Sequence, residues 1–318
     1  MKKSVLFTAL ICAALTLTGC IFDEPFEDIT LTTLSEFESM ADNSKKYEHK
    51  NIGTLDLSKV PVDYILPNQY RTDIITDNGD SIDDVSYVIF EYNLYNVQNI
   101  ILPDNLKGLS EFFFEEVMLL ESIQISEDNE YYCTDDGVLY TKDKVTIYKY
   151  PPCKTGSTFT LPEETSVALY QCFYYNQYLE EINGSEQLKP AYSTTCSIFN
   201  SMYKLKNLEL SFTSCPGYTL NYCSSLEEVT FTTTEKMKWS YNVIYDCPSL
   251  KKITFSSTEP PEIVIANEKY EFQECSSDLK FYVPAGSKEN YLSEENSFYQ
   301  NNAYKDSLEE RIIEYEAE

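Results

Sequence analysis

The segments CSSLEEVTF, residues 223–231, and CPSLKKITF, residues 247–255, begin 24 residues apart and share one pattern. Each holds an apolar residue, two polar residues, an apolar residue, one polar residue and a last apolar residue. In the first segment the apolar residues are Leu226, Val229 and Phe231. The two glutamates between them become two lysines in the second segment. A repeat that keeps its apolar positions while its polar positions vary indicates a stacked repeat fold.

Further copies of this pattern begin at Val97, Leu120 and Leu205. A weaker copy begins at Leu179, with Gly184 in its third apolar position. Two further positions, mostly apolar, lie six and three residues before each start, except the start at Val97. These pairs are Phe114/Val117, Phe173/Asn176, Phe199/Met202, Leu220/Cys223 and Ile244/Cys247.

The spacing of the apolar residues predicts the geometry of one repeat. The last two apolar positions are two residues apart, which is the period of a β-strand with one side facing a core. The earlier pair would hold the returning arc of the chain against the same core. A single coil cannot bury its inward face alone, so neighbouring coils must stack. We predict a β-rich solenoid with few α-helices.

The polar positions of the repeat are predicted to face outward in two columns on one continuous sheet face. Glu227 and Glu228 would then face the two lysines of the next coil in weak pairs of about 0.2–1 kcal/mol each. Solenoids use such extended faces for binding. The candidate binding residues are Gln98, Ser122, Glu181, Asn207, Glu228 and Lys252.

Residues 99–125, NIILPDNLKGLSEFFFEEVMLLESIQI, resemble the BspA-type bacterial leucine-rich repeat, which reads L-x-x-I-x-I-P and later A-F-x-x-C-x-x-L-x-x-I. Pro103 precedes Phe114 by eleven residues, and Pro162 precedes Phe173 by the same interval, as in the register of that family. The resemblance implies a right-handed coil with short strands. It also implies a non-enzymatic surface protein that binds a macromolecular partner.

Two other segments carry the same resemblance. Residues 129–152 are similar to the hairpin insertion that these proteins carry between coils, which accounts for the 59 residues between the starts at Leu120 and Leu179. Residues 280–300 are similar to their terminal element. We therefore expect a solenoid over residues 51–275, with clear repeats from about residue 97, and a C-terminal cap over residues 276–318.

The N-terminus has the layout of a secretory signal over residues 1–19, with two lysines before an apolar stretch. It ends in LTGC, residues 17–20, which resembles a bacterial lipobox and predicts a lipid on Cys20. Acyl chains hold a protein to a membrane without a transmembrane helix. The acidic residues that follow resemble a surface-export signal of some Gram-negative lipoproteins, so we expect an outer-membrane anchor facing outward. The alternative is an ordinary signal peptide with a chance cysteine.

Residues 20–50 are predicted to form the lipid anchor and a polar tether. One short helix is expected there, because Ser35 and Glu38 have the spacing of a capping box. An early irregular strand is expected at residues 53–58. The acidic segment TDNGDS, residues 76–81, predicts an Asn-Gly hairpin turn. A calcium loop is the less favoured alternative, because Ile74 stands where an EF-hand needs an acidic residue.

Eight cysteines remain beyond the signal and Cys20: Cys133, Cys153, Cys172, Cys196, Cys215, Cys223, Cys247 and Cys275. An even number in an exported protein is compatible with a set of disulfides. The buried repeat position of Cys223 and Cys247 instead favours thiols that act as small apolar residues. We predict mostly free thiols, with Cys133–Cys153 as the most plausible bridge. The chain has no Cys-x-x-Cys pair, so no zinc or other metal site is expected.

Charge and composition argue against several functions. The formal net charge of −28 comes without a basic stretch, which excludes the phosphate neutralisation on which nucleic-acid binding depends. The single histidine, His49, lies in the predicted tether, so it cannot activate a nucleophile within the repeats. No phosphate-binding glycine loop is present. We expect no enzyme activity and no cofactor; a hydrolase using paired carboxylates is the remaining catalytic alternative.

Two binding functions stay open at this stage. The first is adhesion-type binding of a protein partner by a monomeric, membrane-anchored lipoprotein. The second is capture of a polysaccharide, in which exposed tyrosines, drawn from the 27 in the chain, and Trp239 would cluster on one face. The identity of the ligand does not follow from the repeat, because a fold does not determine function.

Overall fold

The computed structural model describes residues 25–42, 50–67, 87–90, 96–115, 117–193, 196–264 and 271–316. The predicted signal peptide, Cys20, His49 and the predicted turn at residues 76–81 lie outside the described residues. Within those ranges the chain forms many short strands, nearly all parallel, and few helices. The predicted β-rich solenoid is confirmed.

The N-terminal coils build two parallel sheets. The first contains β1 (Glu27–Thr30), β2 (Ile52–Asp56), β5 (Val97–Ile101) and β7 (Ser122–Gln124), in that order. The second contains β4 (Tyr87–Phe90), β3 (Tyr64–Pro67) and β6 (Gly108–Leu109), in that order. The early strand expected at residues 53–58 is therefore β2, a regular member of the sheet.

The predicted tether is wrong for residues 27–42, which belong to the folded solenoid. Strand β1 pairs with β2, and helix α1 (Leu34–Asp42) buries Phe37 and Ala41 against the first coils. The expected short helix is present, but its capping box lies two residues earlier than predicted, at Thr33 and Glu36. Thr33 Oγ1 accepts the N–H of Glu36 at 3.2 Å, and the Glu36 carboxylate accepts the N–H of Thr33 at 3.0 Å. The helix begins where these side chains satisfy backbone N–H groups that have no helical partner.

The strands of the C-terminal coils form three parallel sheets, one on each side of the coil. The longest sheet contains β15 (Asn207–Leu210), β18 (Glu228–Phe231), β21 (Lys252–Phe255), β23 (Lys280–Pro284) and β24 (Ile312–Tyr315). The second contains β16 (Ser214–Cys215), β19 (Lys238–Trp239) and β22 (Glu262–Ile263). The third pairs β17 (Leu220–Asn221) with β20 (Ile244–Tyr245).

The inward positions of the repeat are buried as the sequence predicts. Val229 faces Ile253 in the strand register, and both side chains are fully buried. The rings of Phe231 and Phe255 stack with centroids 5.5 Å apart and planes 11° apart. Leu226 lies in the same core with no exposed surface. Identical positions of successive coils therefore stack directly on one another.

The predicted hairpin insertion is present as the antiparallel pair β8 (Tyr132–Asp135) and β9 (Val138–Thr141). It continues into a five-stranded sheet with β10 (Thr146–Lys149), β12 (Val167–Ala168) and β14 (Lys189–Pro190). Alternate residues of a strand face opposite sides. Leu139 accordingly packs in the N-terminal core, while Val138 and Tyr140 pack in the C-terminal core. The insertion thus joins two hydrophobic cores.

The 59-residue interval between repeat starts contains one further coil as well as the hairpin. Strand β11 (Thr158–Thr160) pairs in parallel with β13 (Glu181–Asn183). Asn176, in a usually apolar position, is fully buried and donates to the carbonyl oxygens of Pro151 and Pro152 at 3.1 and 3.2 Å. Its Oδ1 accepts the N–H of Leu179 at 2.8 Å. A buried amide is tolerated here because its hydrogen-bonding groups find partners.

The C-terminal segment expected to be a cap first extends the longest sheet through β23 and β24. It also contains α2 (Lys288–Leu292), α3 (Ser297–Gln300) and α4 (Leu308–Arg311). The fully buried Phe298 packs edge-on against Phe255 with centroids 5.9 Å apart, which covers the last apolar layer. Short 3-10 helices occur at Glu111–Phe114, Ser185–Gln187 and Lys305–Ser307. Across the described ranges, the helices are too short or too polar to span a membrane.

Glu271 is a buried carboxylate at the point where the cap leaves the regular coil. Its side chain accepts the N–H of Ile244 at 3.2 Å, while its own backbone bonds to residues of the cap. The residue is 2% exposed, and burial raises the pKa of its carboxyl group to about 7. The side chain therefore takes the place of a backbone acceptor that the next coil would otherwise supply.

We expect Leu226→Ala to lower the free energy of unfolding by roughly 2–5 kcal/mol, because truncation leaves a cavity between stacked coils. Glu227→Ala, one residue along on the exposed side, should change it by less than about 0.5 kcal/mol. Urea denaturation of both variants checks the register. A larger loss for Glu227→Ala would show that inward and outward positions are exchanged.

Glu271 should make stability depend on pH. The pKa of its carboxyl group is higher in the folded protein than in the unfolded chain, so folding favours the protonated form. The stability that this group contributes is fully present below about pH 4.5 and is lost as the pH rises through about 7. We expect Glu271→Gln to remove this dependence, which is on the order of 3 kcal/mol. Denaturation of both proteins from pH 4.5 to 8 measures it; parallel pH profiles would contradict the assignment.

Candidate binding surface

The outward residues of the longest sheet form regular columns. Asn207, Glu228 and Lys252 are aligned in the strand register of β15, β18 and β21. The Nζ atom of Lys252 lies 3.1 Å from the Glu228 carboxylate, and that of Lys251 lies 3.5 Å from Glu227. The predicted pairing of opposite charges between these coils is confirmed. We call the outward side of β13, β15, β18 and β21 the strand face.

Each carboxylate of these pairs is matched by a lysine on the next coil. Lys206 forms an ion pair with Glu180, and hydrogen bonding from that lysine lowers the pKa of the glutamate. The side chains of Glu228 and Lys252 are 50% and 39% exposed, so water screens their attraction. Pairs of this kind contribute about 0–1 kcal/mol each. They pair most of the charges on the strand face without adding much stability.

The two N-terminal candidates lie on a separate surface. Ser122 donates a hydrogen bond to Asn99 Oδ1 at 2.7 Å, and Gln98 donates to Glu121 at 3.3 Å. The turn of the hairpin insertion lies against Ser122, since Gly137 accepts the N–H of Ile123 at 3.0 Å. A Cβ atom at Gly137 would stand 3.0 Å from the Ser122 Cβ.

The prediction of one continuous face is therefore wrong, because β7 and β13 belong to different sheets with the hairpin between them. Glu181 faces Thr158 of β11 and lies beside β15, where Lys206 donates its N–H to the Glu180 carbonyl at 3.0 Å. Glu181, Asn207, Glu228 and Lys252 share the strand face. Gln98 and Ser122 do not reach it.

The eight described cysteines are free thiols, as predicted. Cys223 Sγ lies 3.0 Å from the Phe199 carbonyl, and Cys247 Sγ lies 3.3 Å from that of Leu220. Each thiol therefore donates to a carbonyl oxygen of the preceding coil. Both cysteines occupy the repeat position that Asn176 occupies in its own coil. The alternative bridge is absent, because Cys133 and Cys153 are directed to separate carbonyl oxygens, those of Thr141 and Met118. Burial raises the pKa of Cys153 to about 11, which keeps the thiol protonated and unreactive.

The two most buried charged groups serve the backbone. Lys149 Nζ donates to the Gln171 carbonyl at 3.0 Å, and burial lowers the pKa of its ammonium to about 8. Glu271 accepts a backbone N–H, as described above. Among the described residues, the cysteines, aspartates and glutamates form no cluster that could hold a metal ion. These groups act as structural hydrogen-bonding partners between coils.

A polar groove of about 470 Å³ lies between the last regular coil and the cap. Its charged lining residues, all exposed, are Lys236, Glu259, Glu262 and Glu295. The side-chain amide of Asn290 donates to the Thr258 carbonyl at 3.1 Å, and the N–H of Ile263 donates to Ser297 Oγ at 2.7 Å. These bonds hold the two walls together. The groove was not foreseen, because its walls come from segments some thirty residues apart.

Tyrosines line the arcs that carry β17 and β20, a surface that the repeat analysis did not single out. Tyr218, Tyr222, Tyr241 and Tyr245 are half-buried, with their rings in contact across the two coils. Trp239, in contrast, is fully buried against Phe231 and Phe255, so it cannot contact a ligand as the glycan hypothesis expected. A signal for this surface is present in the sequence, since two tyrosines stand four residues apart, around buried positions, in YTLNYC, residues 218–223, and in YNVIYDC, residues 241–247.

Solved structures similar to this chain include two leucine-rich proteins and a vaccine antigen. A leucine-rich repeat protein from Eubacterium ventriosum is 20% identical, with 72% of this chain and 67% of that chain covered and a TM-score of 0.44. A leucine-rich cell surface protein from Faecalibacterium prausnitzii is 17% identical, with 76% and 65% covered and a TM-score of 0.46. The pneumococcal vaccine antigen PcpA is 18% identical, with 85% and 73% covered and a TM-score of 0.45.

The family assignment rests on the repeats themselves. Comparison with curated proteins found no match. A family model described as the BspA type leucine-rich repeat region matches in six copies, over residues 72–137, 143–277 and 199–313. These ranges include the strand face and most of the C-terminal segment. Because the match covers well over half of the 318 residues, the chain belongs to the BspA-type leucine-rich repeat family.

Proposed function

We propose that this chain is a non-enzymatic, exported lipoprotein that binds a macromolecular partner through the strand face. The observation that carries the proposal is the ion pairing from coil to coil on that face. Glutamate and lysine alternate between successive coils, with exposed side chains and register-aligned backbones. An open surface of mixed charge suits a large partner that makes many modest contacts. Such charges tune specificity and association rate more than affinity.

The folded N-terminus brings the solenoid close to the proposed anchor. Strand β1 begins at Glu27, seven residues after Cys20. An extended chain spans at most about 3.3–3.6 Å per residue, so the first coil would lie within roughly 25 Å of the lipid. The strand face belongs to later coils of the stack than β1, farther from the proposed anchor. This geometry supports a binding role at the cell surface.

The anchoring proposal has a direct test. We expect the wild-type protein to partition into the detergent phase of membrane extracts and Cys20→Ser to remain in the aqueous phase, because acyl chains supply the membrane affinity. Cys133→Ser, a cysteine substitution outside the predicted lipobox, serves as the control. Equal partitioning of wild type and Cys20→Ser would exclude a lipid on Cys20.

The binding proposal is tested by exchanging one charge pair. Glu228→Lys combined with Lys252→Glu keeps the ion pair and should leave the melting temperature nearly unchanged. The exchange nevertheless reverses the charge pattern on the surface that a partner would contact. We expect at least tenfold weaker binding to the partners identified on arrays of purified host proteins and of glycans. The matched control exchanges Lys59 and Asp104, an ion pair 2.9 Å apart away from the strand face.

Unchanged binding by the Glu228/Lys252 exchange would place the binding site elsewhere. Equal loss in the Lys59/Asp104 control would show that the effect is not local. Binding to glycans in preference to proteins would favour polysaccharide capture, the alternative that the exposed tyrosines leave open.

A further inference from the structure

The arcs of the C-terminal coils, residues 218–223, 241–247 and 271–275, are hydrogen-bonded from coil to coil and contain residues with left-handed backbone. The N–H of Tyr222 bonds to the Tyr245 carbonyl at 3.1 Å, and the N–H of Asp246 bonds to the Gln273 carbonyl at 3.0 Å. One column of left-handed positions runs through these arcs, with φ of 60° at Tyr222, 52° at Asp246 and 59° at Glu274. These residues therefore occupy the same place in three successive coils.

A tyrosine at this position is not what the backbone favours. Asparagine, aspartate and glycine tolerate a left-handed conformation, whereas a bulky side chain there is rare and strained. The neighbouring column contains Tyr218, with φ of 61°, followed by Asn242, with φ of 50°. The chain thus uses asparagine or aspartate in one coil and tyrosine in the next at equivalent positions. Left-handed backbone also occurs at the buried Tyr175 and Phe272, so it belongs to the turn of each coil, and what distinguishes Tyr218 and Tyr222 is that their side chains are only half-buried.

The rings form a compact aromatic surface. Tyr222 and Tyr245 meet edge to face with centroids 5.8 Å apart, and Tyr218 and Tyr241 do the same at 5.2 Å. All four side chains are half-buried, so part of each ring faces solvent. Asp246 and the exposed Glu274 lie beside them in the left-handed column. We call these six residues the arc surface.

The charge of the arc surface differs from that of the strand face. The segments 218–223, 241–247 and 271–275 contain no lysine or arginine. Burial raises the pKa of Asp246, and the charge of Glu274 raises it further. Burial and the charge of Asp246 likewise raise the pKa of Tyr222. On the strand face each carboxylate of the aligned pairs faces a lysine, whereas here negative charge accumulates next to aromatic rings.

We propose that the arc surface binds a lysine- or arginine-bearing peptide segment of a protein partner. Tyrosine rings attract cations through their negative faces, and adjacent carboxylates complete the charge balance. The same contact occurs within this molecule, where the Arg311 guanidinium lies 4.2 Å from the Tyr304 ring centroid and Lys252 Nζ lies 5.4 Å from that of Tyr282. The arc surface belongs to a different side of the coil from the strand face, so the two proposals stand or fall separately.

The decisive variant is Tyr222→Asn in the full-length, detergent-solubilised protein. Asparagine suits the left-handed backbone, so the melting temperature should stay the same or rise while the ring is lost. We expect a fluorescent octa-arginine peptide, measured by anisotropy at about 0.15 M salt, to bind about tenfold more weakly to this variant. Tyr222→Phe keeps the ring and should bind within about twofold of wild type.

A second pair of variants separates this site from the general attraction of an acidic protein. Asp246→Asn with Glu274→Gln should weaken binding about tenfold. Glu127→Gln with Asp128→Asn removes the same charge from an exposed turn outside both surfaces and should change binding less than about twofold, because exposed charges farther away are screened. Equal losses in the two double variants would reduce the binding to net charge and overturn the proposal. Unchanged binding by Tyr222→Asn would also overturn it, as would a preference of the arc surface for neutral glycans over the peptide.

Discussion

The structure depends on the parallel hydrogen bonding of each coil to the next. A single coil leaves its apolar residues and its backbone groups without partners, and only an adjacent coil in the same register satisfies both. Phe231 therefore lies directly over Phe255, while the backbone of β18 bonds to that of β21. The same requirement explains the polar residues inside the core. Asn176, Cys223 and Cys247 are buried because each donates to a carbonyl oxygen of the preceding coil.

Stacking also creates two ends that lack a neighbour, and the chain closes them in different ways. At the N-terminus, β1 and helix α1 cover the first coil, with Phe37 fully buried. At the C-terminus, the sheet gains two more strands, and Tyr291 and Phe298 pack over Phe255. The buried carboxylate of Glu271 replaces an acceptor that a regular coil would provide. Because burial raises the pKa of this carboxyl group to about 7, the junction with the cap is sensitive to pH.

The outward residues are released from the packing constraint, so the sides of the coil can differ in chemistry. The strand face alternates acid and lysine from coil to coil. The arc surface combines tyrosine rings with carboxylates and contains no basic residue in its own segments. One packed core therefore presents sides of different chemistry.

The apolar spacing of the sequence alone determined the solenoid, the inward residues and the free thiols, because the distinction between inside and outside repeats with every coil. It also predicted the pairing of Glu228 with Lys252, whereas the antiparallel hairpin was expected from the resemblance of residues 129–152 to the insertion of the BspA-type repeat. The extent of the folded N-terminus, the division of the outward columns at Ser122 and the meeting of the tyrosines on the arcs emerged only in the tertiary structure. Strand β1 has no apolar repeat of its own and is recognised only by its pairing with β2. Which outward residues become neighbours depends on where the insertion enters the stack, and that placement is set by Leu139 and Tyr140 packing into opposite cores rather than by any local pattern.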